Sequence, residues 1–207
     1  MITRLLIATT NPGKAAEFRE MLRSDTLAFE DLKAFPHVHA PEETGLTFLD
    51  NASLKASWYA QHCNRWTIAD DSGLAVDALN GAPGVHSARW AQMNNAGSGD
   101  AANNALLLSQ MEEVPEADRT AAFHCALALA DPVGHIVLTA NGTVKGRILR
   151  SPRGSNGFGY DPLFLIEELR QTTAELSPAE KHAISHRGQA LRDLRDQIDH
   201  VILGKNR

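Results

Sequence analysis

The sequence predicts an α/β protein built on a mixed β-sheet. Short apolar runs of strand length alternate with segments of helical periodicity, and two of the strand runs flank a four-residue hairpin turn. The chain has 207 residues, 43% of them hydrophobic, enough to bury a sizeable core without disulfides or metals as staples. A hairpin among otherwise alternating elements argues for a mixed sheet over purely parallel units. No repeat, low-complexity tract or linker interrupts the chain, so residues 1–207 are expected to form one domain, or two lobes sharing a core.

Leu5 to Thr9 is an apolar run ending at Asn11-Pro12-Gly13, a strand entering a turn. Phe18, Met21 and Leu22 then recur at helical spacing. Thr47, with Asp50 three residues on, opens a second helix with a capping-box pair, and Phe48, Ala52, Ala56, Tyr59 and Cys63 form its apolar stripe. Trp66 to Ala69 reads as a short strand stopping at Asp70-Asp71-Ser72-Gly73. Leu74 to Leu79 resumes as strand, and a Gly/Pro loop covers 80–84. Ala101 to Met111 is helical. Ala121 to Ala130 and His135 to Ala140 flank Asp131-Pro132-Val133-Gly134 as a hairpin. A Gly-rich loop over 153–161 leads into a strand from Leu163 to Ile166. Ser177-Pro178-Ala179-Glu180 is a helix start, and Leu191, Leu194, Ile198 and Val201 make a last amphipathic helix closed by Gly204.

Five stretches carry chemistry. Thr9-Thr10-Asn11-Pro12-Gly13-Lys14 joins a strand to a helix start, where free backbone N–H groups and a lysine favour an anion; the P-loop spacing is absent. Thr47, Asn51 and Lys55 stack at four-residue intervals, offset from the apolar stripe, and are expected to face a cleft with donors for phosphate oxygens. Glu42 and Glu43 lie just upstream. Asp70 and Asp71 end an apolar strand, and neighbouring side chains on a strand point to opposite faces. One aspartate can hold a metal of the Mg²⁺ type while the other activates water, in either assignment. Phe158 and Tyr160 among glycines offer a ring to stack on a flat base, and Asp161 an acceptor for a ring N–H. Lys181 and Ser185, four apart on one helix, precede His186 and Arg187, with Gly188 placed to break the helix. Cationic donors there suit keto oxygens on a base.

The formal net charge of -5, with no Lys/Arg run, excludes duplex nucleic acid as a first partner. The two cysteines, Cys63 and Cys125, have neither metal-type spacing nor a disulfide framework. The N-terminal apolar run is too short for a secretory segment or a membrane span. These features predict a cytoplasmic protein.

Together, ATTNPGK, PEETGLTFLDNASLKA, ADDSGLAVDALNGAPGVHSARWA, GSNGFGYDPLF and TAELSPAEKHAISHRGQAL resemble the inosine/xanthosine triphosphate pyrophosphatases, in the family's order and over nearly the whole chain. The resemblance implies two α/β lobes around a long mixed sheet with a central cleft, a homodimer and a Mg²⁺ requirement. It implies that Thr9, Thr10, Asn11, Pro12, Gly13 and Lys14 bind the triphosphate, and that Glu42 and Asp71 hold the metal. It makes Asp71 the proton acceptor and Ser72 a substrate contact. Phe158, Gly159, Tyr160, Asp161, Lys181, His186 and Arg187 would hold the nucleoside. Two departures bear on this: Glu43 adjoins Glu42 and can take its role, and His182 stands where relatives often carry a smaller polar residue. Rival readings are a pyrophosphatase for other damaged nucleotides and a non-catalytic nucleotide sensor. Phosphoryl-transfer kinase chemistry is disfavoured by the missing signatures.

Overall fold

The computed structural model describes residues 2–203, so Gly204 lies outside the described residues. The elements are β1 (Thr3–Ile7), α1 (Pro12–Met21), β2 (Leu27–Asp31), α2 (Phe48–Cys63), β3 (Trp66–Val76), α3 (Trp90–Met93), α4 (Gly99–Gln110), β4 (Thr120–Ala130), β5 (Ile136–Ile148), β6 (Phe164–Ile166), β7 (Gln171–Thr172), α5 (Pro178–Ile184) and α6 (His186–Leu203). The strands form one seven-stranded sheet in the order β2-β1-β3-β4-β5-β6-β7. β1 is parallel to β2 and β3, whereas β6 is antiparallel to β5 and β7, so the sheet is mixed as predicted.

The chain divides into two compact units. Unit 1 comprises Met1–Asp71, Cys125–Gly142 and Arg187–Arg207; unit 2 comprises Ser72–His124 and Thr143–His186. Unit 1 has two apolar clusters. In one, Leu5 and Ile7 of β1, Phe18 and Leu22 around α1, Leu127 and Leu129 of β4, and Leu191, Leu194 and Ile198 of α6 pack together. In the other, Leu6 and Ala8 meet Ala52, Ala56, Tyr59 and Cys63 of α2, the stripe read from the sequence. Each such leucine or phenylalanine contributes about 1.5–3 kcal/mol by leaving water. Unit 2 packs Leu74 and Val76 of β3 with Leu107, Met111, Phe123, Ile148, Tyr160 and Phe164.

Three local expectations are corrected. β3 does not stop at Asp70 but runs unbroken through the Asp-Asp-Ser-Gly segment to Val76, and 77–79 is a 3₁₀ turn. A turn composition yields to strand here because both carboxylates find partners in the fold. The helix break falls at Ser185, whose backbone is extended (φ −66°, ψ 155°), and Gly188 lies within α6. The second strand of the hairpin is much longer than the stretch to Ala140 and reaches Ile148. β2, α3 and β7 had no predicted counterpart. The hairpin turn itself forms as expected: Asp131 accepts the N–H groups of Val133 and His135 through one side-chain oxygen, and Gly134 takes φ 91°.

Candidate active site

In unit 1 the register between parallel strands gathers the charged residues. Ile7 pairs with Ile68, and the Ala8 N–H donates to the Ile68 carbonyl at 2.8 Å. The turn after β1 therefore emerges level with the middle of β3, beside Asp70 and Asp71. Asn11 caps α1, its side-chain oxygen accepting the Lys14 N–H, and Pro12 occupies the first turn. Thr9 Oγ1 accepts the Asn11 N–H. Lys14 reaches back to Asp70, with Nζ 2.8 Å from Oδ2.

Asp70 is buried and meets a second cation, the Arg187 guanidinium, which donates to Oδ2 at 3.2 Å. Arg187 also donates to the buried carboxylate of Glu17 on α1. Burial opposes the charge on Asp70, but Lys14, Arg187 and Lys55 overcome it and hold the carboxyl far below the usual range. Burial likewise opposes the charge on Arg187, and Asp70 and Glu17 outweigh it, raising its pKa.

Asp71, on the opposite face of β3, has different surroundings. Lys55 Nζ lies 3.1 Å from its Oδ1 and 2.7 Å from Glu43 Oε1. Asn51 donates from Nδ2 to Asp71 Oδ2 at 3.3 Å. Burial raises the pKa of Asp71, and the opposing pull of Lys55 does not cancel it. Lys55 is pushed the other way by burial, but Asp71, Asp70 and Glu43 raise its pKa. Among the described residues no group of three or more His, Cys, Asp or Glu side chains could hold a metal ion. Asp71 and Glu43 nevertheless suit one: they are hard oxygen donors brought together at one ammonium group. Mg²⁺ is commonly held by one or two carboxylates, with water and substrate phosphates completing its shell.

Unit 2 builds a second cluster on the loop before β6. Asp161 is buried; its Oδ2 accepts the Phe158 N–H at 2.9 Å and the Lys181 ammonium at 2.6 Å, and its Oδ1 accepts the Thr173 hydroxyl at 2.8 Å. Gly157, at φ 78°, leaves no room for a Cβ, which would fall 2.0 Å from Asp161 Oδ2. Lys181 Nζ sits 4.7 Å from the centre of the Phe158 ring. The capping box of Ser177 and Glu180 starts α5 and so places Lys181. His186 is buried and stacks on Phe123, ring centres 4.9 Å apart.

The predicted residues thus fall into distinct groups. Lys14, Asp70 and Arg187 come together, as do Lys55 and Asp71, and Phe158, Asp161 and Lys181. Glu43, not the exposed Glu42, makes the ion pair with Lys55. Thr10 is exposed, and Pro12 and Gly13 lie on the surface of the first turn of α1. Ser72 follows Asp71 on β3 and is half-buried. The polar row on α2 does not face a cleft as a row, as had been expected. Thr47 is spent on the helix cap, and Asn51 is fully buried. Tyr160 is turned into the core with its hydroxyl donating to the Ser87 carbonyl. Gly159 donates to Asp100 at 2.7 Å. Glu17, Phe123 and Thr173 had not been singled out. Only Glu17 carried a signal, lying one helical turn after Lys14 and so on the same face of α1.

The Ham1 family profile matches residues 5–197. A protein named dITP/XTP pyrophosphatase from Bacillus cereus is 48% identical over 203 residues, covering 98% of each chain. One of the same name from an Exiguobacterium species is 51% identical, over 94% of this chain and 96% of its own. The structure of a HAM1 protein from Coxiella burnetii superposes with a TM-score of 0.86 at 42% identity, covering 97% of this chain and all of the other.

Proposed function

The chain belongs to the Ham1 family, and on that premise we propose that it hydrolyses noncanonical purine nucleoside triphosphates such as ITP, dITP, XTP and dXTP to the monophosphate and pyrophosphate. Full-length similarity to proteins named dITP/XTP pyrophosphatase supports the substrate class. The observation that carries the chemistry is the pair of adjacent buried aspartates, each joined to its own lysine.

Water attacks the α-phosphorus, the bond to the bridging oxygen breaks, and pyrophosphate leaves. Asp70, held as an anion by two cations, is a poor base and serves to fix Lys14 and Arg187. Asp71, which meets one lysine and a neutral amide where Asp70 meets two cations, takes the proton of the attacking water. Lys14, the start of α1 and Lys55 stabilise the charge that accumulates on the departing pyrophosphate. Mg²⁺ held by Asp71 and a glutamate of the 42–43 pair would neutralise phosphate charge and polarise the leaving group.

Selectivity rests on the residues of unit 2. Lys181 and His186 offer donors to the 6-keto oxygen of hypoxanthine or xanthine, with the ring stacked on Phe158. Adenine would set an amino donor against these donors and leave buried groups unpaired. Buried Cys63 and Cys125, neither in a disulfide, support a reducing, cytoplasmic setting. Among the described residues no helix is long and apolar enough to cross a membrane. A homodimer completes the proposal, and analytical ultracentrifugation tests it.

The deciding assay supplies Mg²⁺ and ITP and separates pyrophosphate from orthophosphate. Pyrophosphate release, lost with chelator and much slower with ATP and GTP, is the expected result. Equal rates on all four purine triphosphates would overturn the selectivity, and tight ITP binding without pyrophosphate release would make the protein a sensor.

A further inference from the structure

Building on the reading of Asp71 as a carboxylate that binds the cation, we propose that Asn51 is a positioning residue. Its side-chain amide fastens the acidic loop 42–45 to Asp71 and fixes which Asp71 oxygen faces Lys55. Asn51 has no exposed surface. Its Oδ1 accepts the backbone N–H of Gly45 at 2.8 Å, and its Nδ2 donates to Asp71 Oδ2 at 3.3 Å. Lys55 takes the other oxygen, Oδ1, at 3.1 Å. The two oxygens of Asp71 are thereby divided between a neutral donor and a cation.

The link has a direction. Reversed, the amide would set its NH₂ against the Gly45 N–H and its oxygen against a carboxylate, so one orientation alone satisfies both ends. The backbone is shaped around it. A Cβ at Gly45 would fall 2.6 Å from Asn51 Oδ1 and 2.6 Å from Asp50 Cβ, so the loop can approach this amide only with glycine there. Gly45 lies two residues after Glu43, whose carboxylate meets Lys55 at 2.7 Å. One buried amide therefore sets the spacing between the two acids that share Lys55. Zero exposure with both amide ends engaged is at odds with a direct contact to substrate. The chemistry matches that of groups that orient metal ligands from behind, where removal typically weakens metal binding or activity about 10–100-fold.

The test compares the full-length wild type with Asn51→Ala and Gly45→Ala. Mg²⁺ alone is titrated calorimetrically without nucleotide, and ITP turnover is measured separately. Asn51→Ala is expected to bind Mg²⁺ roughly 10–100-fold more weakly and to lose kcat with little change in KM. Gly45→Ala leaves the amide and its bond to Asp71 in place but displaces the loop; it should shift both readouts the same way, and it carries the test if alanine at 51 prevents folding. A raised KM with kcat and Mg²⁺ affinity intact would make Asn51 a substrate contact and overturn the proposal. A lowered melting temperature with unchanged Mg²⁺ affinity and kcat would overturn it too, leaving a packing role. A wild type that binds Mg²⁺ but releases no pyrophosphate from ITP overturns the functional reading instead. The calorimetric comparison needs no nucleotide, so the two failures are told apart.

Discussion

Asp70 and Asp71 share a peptide bond and differ in almost everything else. Asp71→Asn keeps the shape of the side chain and removes its basicity; kcat for ITP should fall by about 10²–10⁴-fold, read from initial rates of pyrophosphate release. Removing the partner of Asp70 attacks stability. Arg187→Met leaves the Asp70 and Glu17 carboxylates buried beside a thioether, at a cost of roughly 3–5 kcal/mol in urea unfolding, part of which Glu17→Gln in the same chain should recover. The pH dependence follows from the sign of the Asp70 shift. Its folded pKa is depressed, so in acid the unfolded chain binds the extra proton. Its stabilisation is complete above the unfolded value of about 3.9 and is lost as pH falls below that. The stability gap between wild type and Asp70→Asn should accordingly stay constant above about pH 5 and narrow steadily as pH falls through about 4 and below in urea titrations. Asp71, with a raised pKa, contributes with the opposite sign. That the two adjacent side chains meet different partners was legible in the sequence from the alternation of faces. The partners were not, because Arg187 lies 117 residues from Asp70 and only tertiary folding joins them.

Elements that carry complete local signals form where the sequence puts them. α2 has its cap, its reciprocal acid and an uninterrupted apolar stripe, and Thr47 and Asp50 make both bonds of the capping box. Thr47→Ala should cost about 1 kcal/mol in thermal or urea unfolding and fray the turn that carries Asn51. β3 shows the reverse case. Asp-Asp-Ser-Gly has turn composition, and nothing nearby in sequence announces the lysines that let it continue as strand. The break between α5 and α6 was placed at Gly188 on residue type alone. It falls at Ser185, and Gly188 sits buried in the first turn of α6. β2 and β7 went unseen because each is too short, or too mixed in polarity, to show a period.

For the whole molecule, the mixed sheet followed from the order of strands, helices and hairpin. Two lobes were expected, but which segments make up each unit was not, since the boundaries fall inside β3, β4 and β5. The candidate residues at helix starts and in the loop before β6 were legible because motif and fold coincide there, whereas Asp70 and Asp71 lie in the middle of β3. The buried supports, Glu17, Phe123 and Thr173, belong to the packing and leave little trace in a linear string. A chain shortened to end at Gly188 tests how unit 1 is completed. It lacks Leu191, Leu194 and Ile198, and Leu5, Phe18 and Leu22 lose their cover. It is expected to bind a dye for exposed apolar surface and to sediment as aggregate, whereas the full chain does neither.

Synthesis on the ribosome meets the same condition in time. The strands and first helices of unit 1 emerge early, yet the helix that seals them is translated after all of unit 2. The nascent protein must carry an open greasy face through most of its elongation, which makes the partly made chain a natural client for chaperones that shield such surfaces.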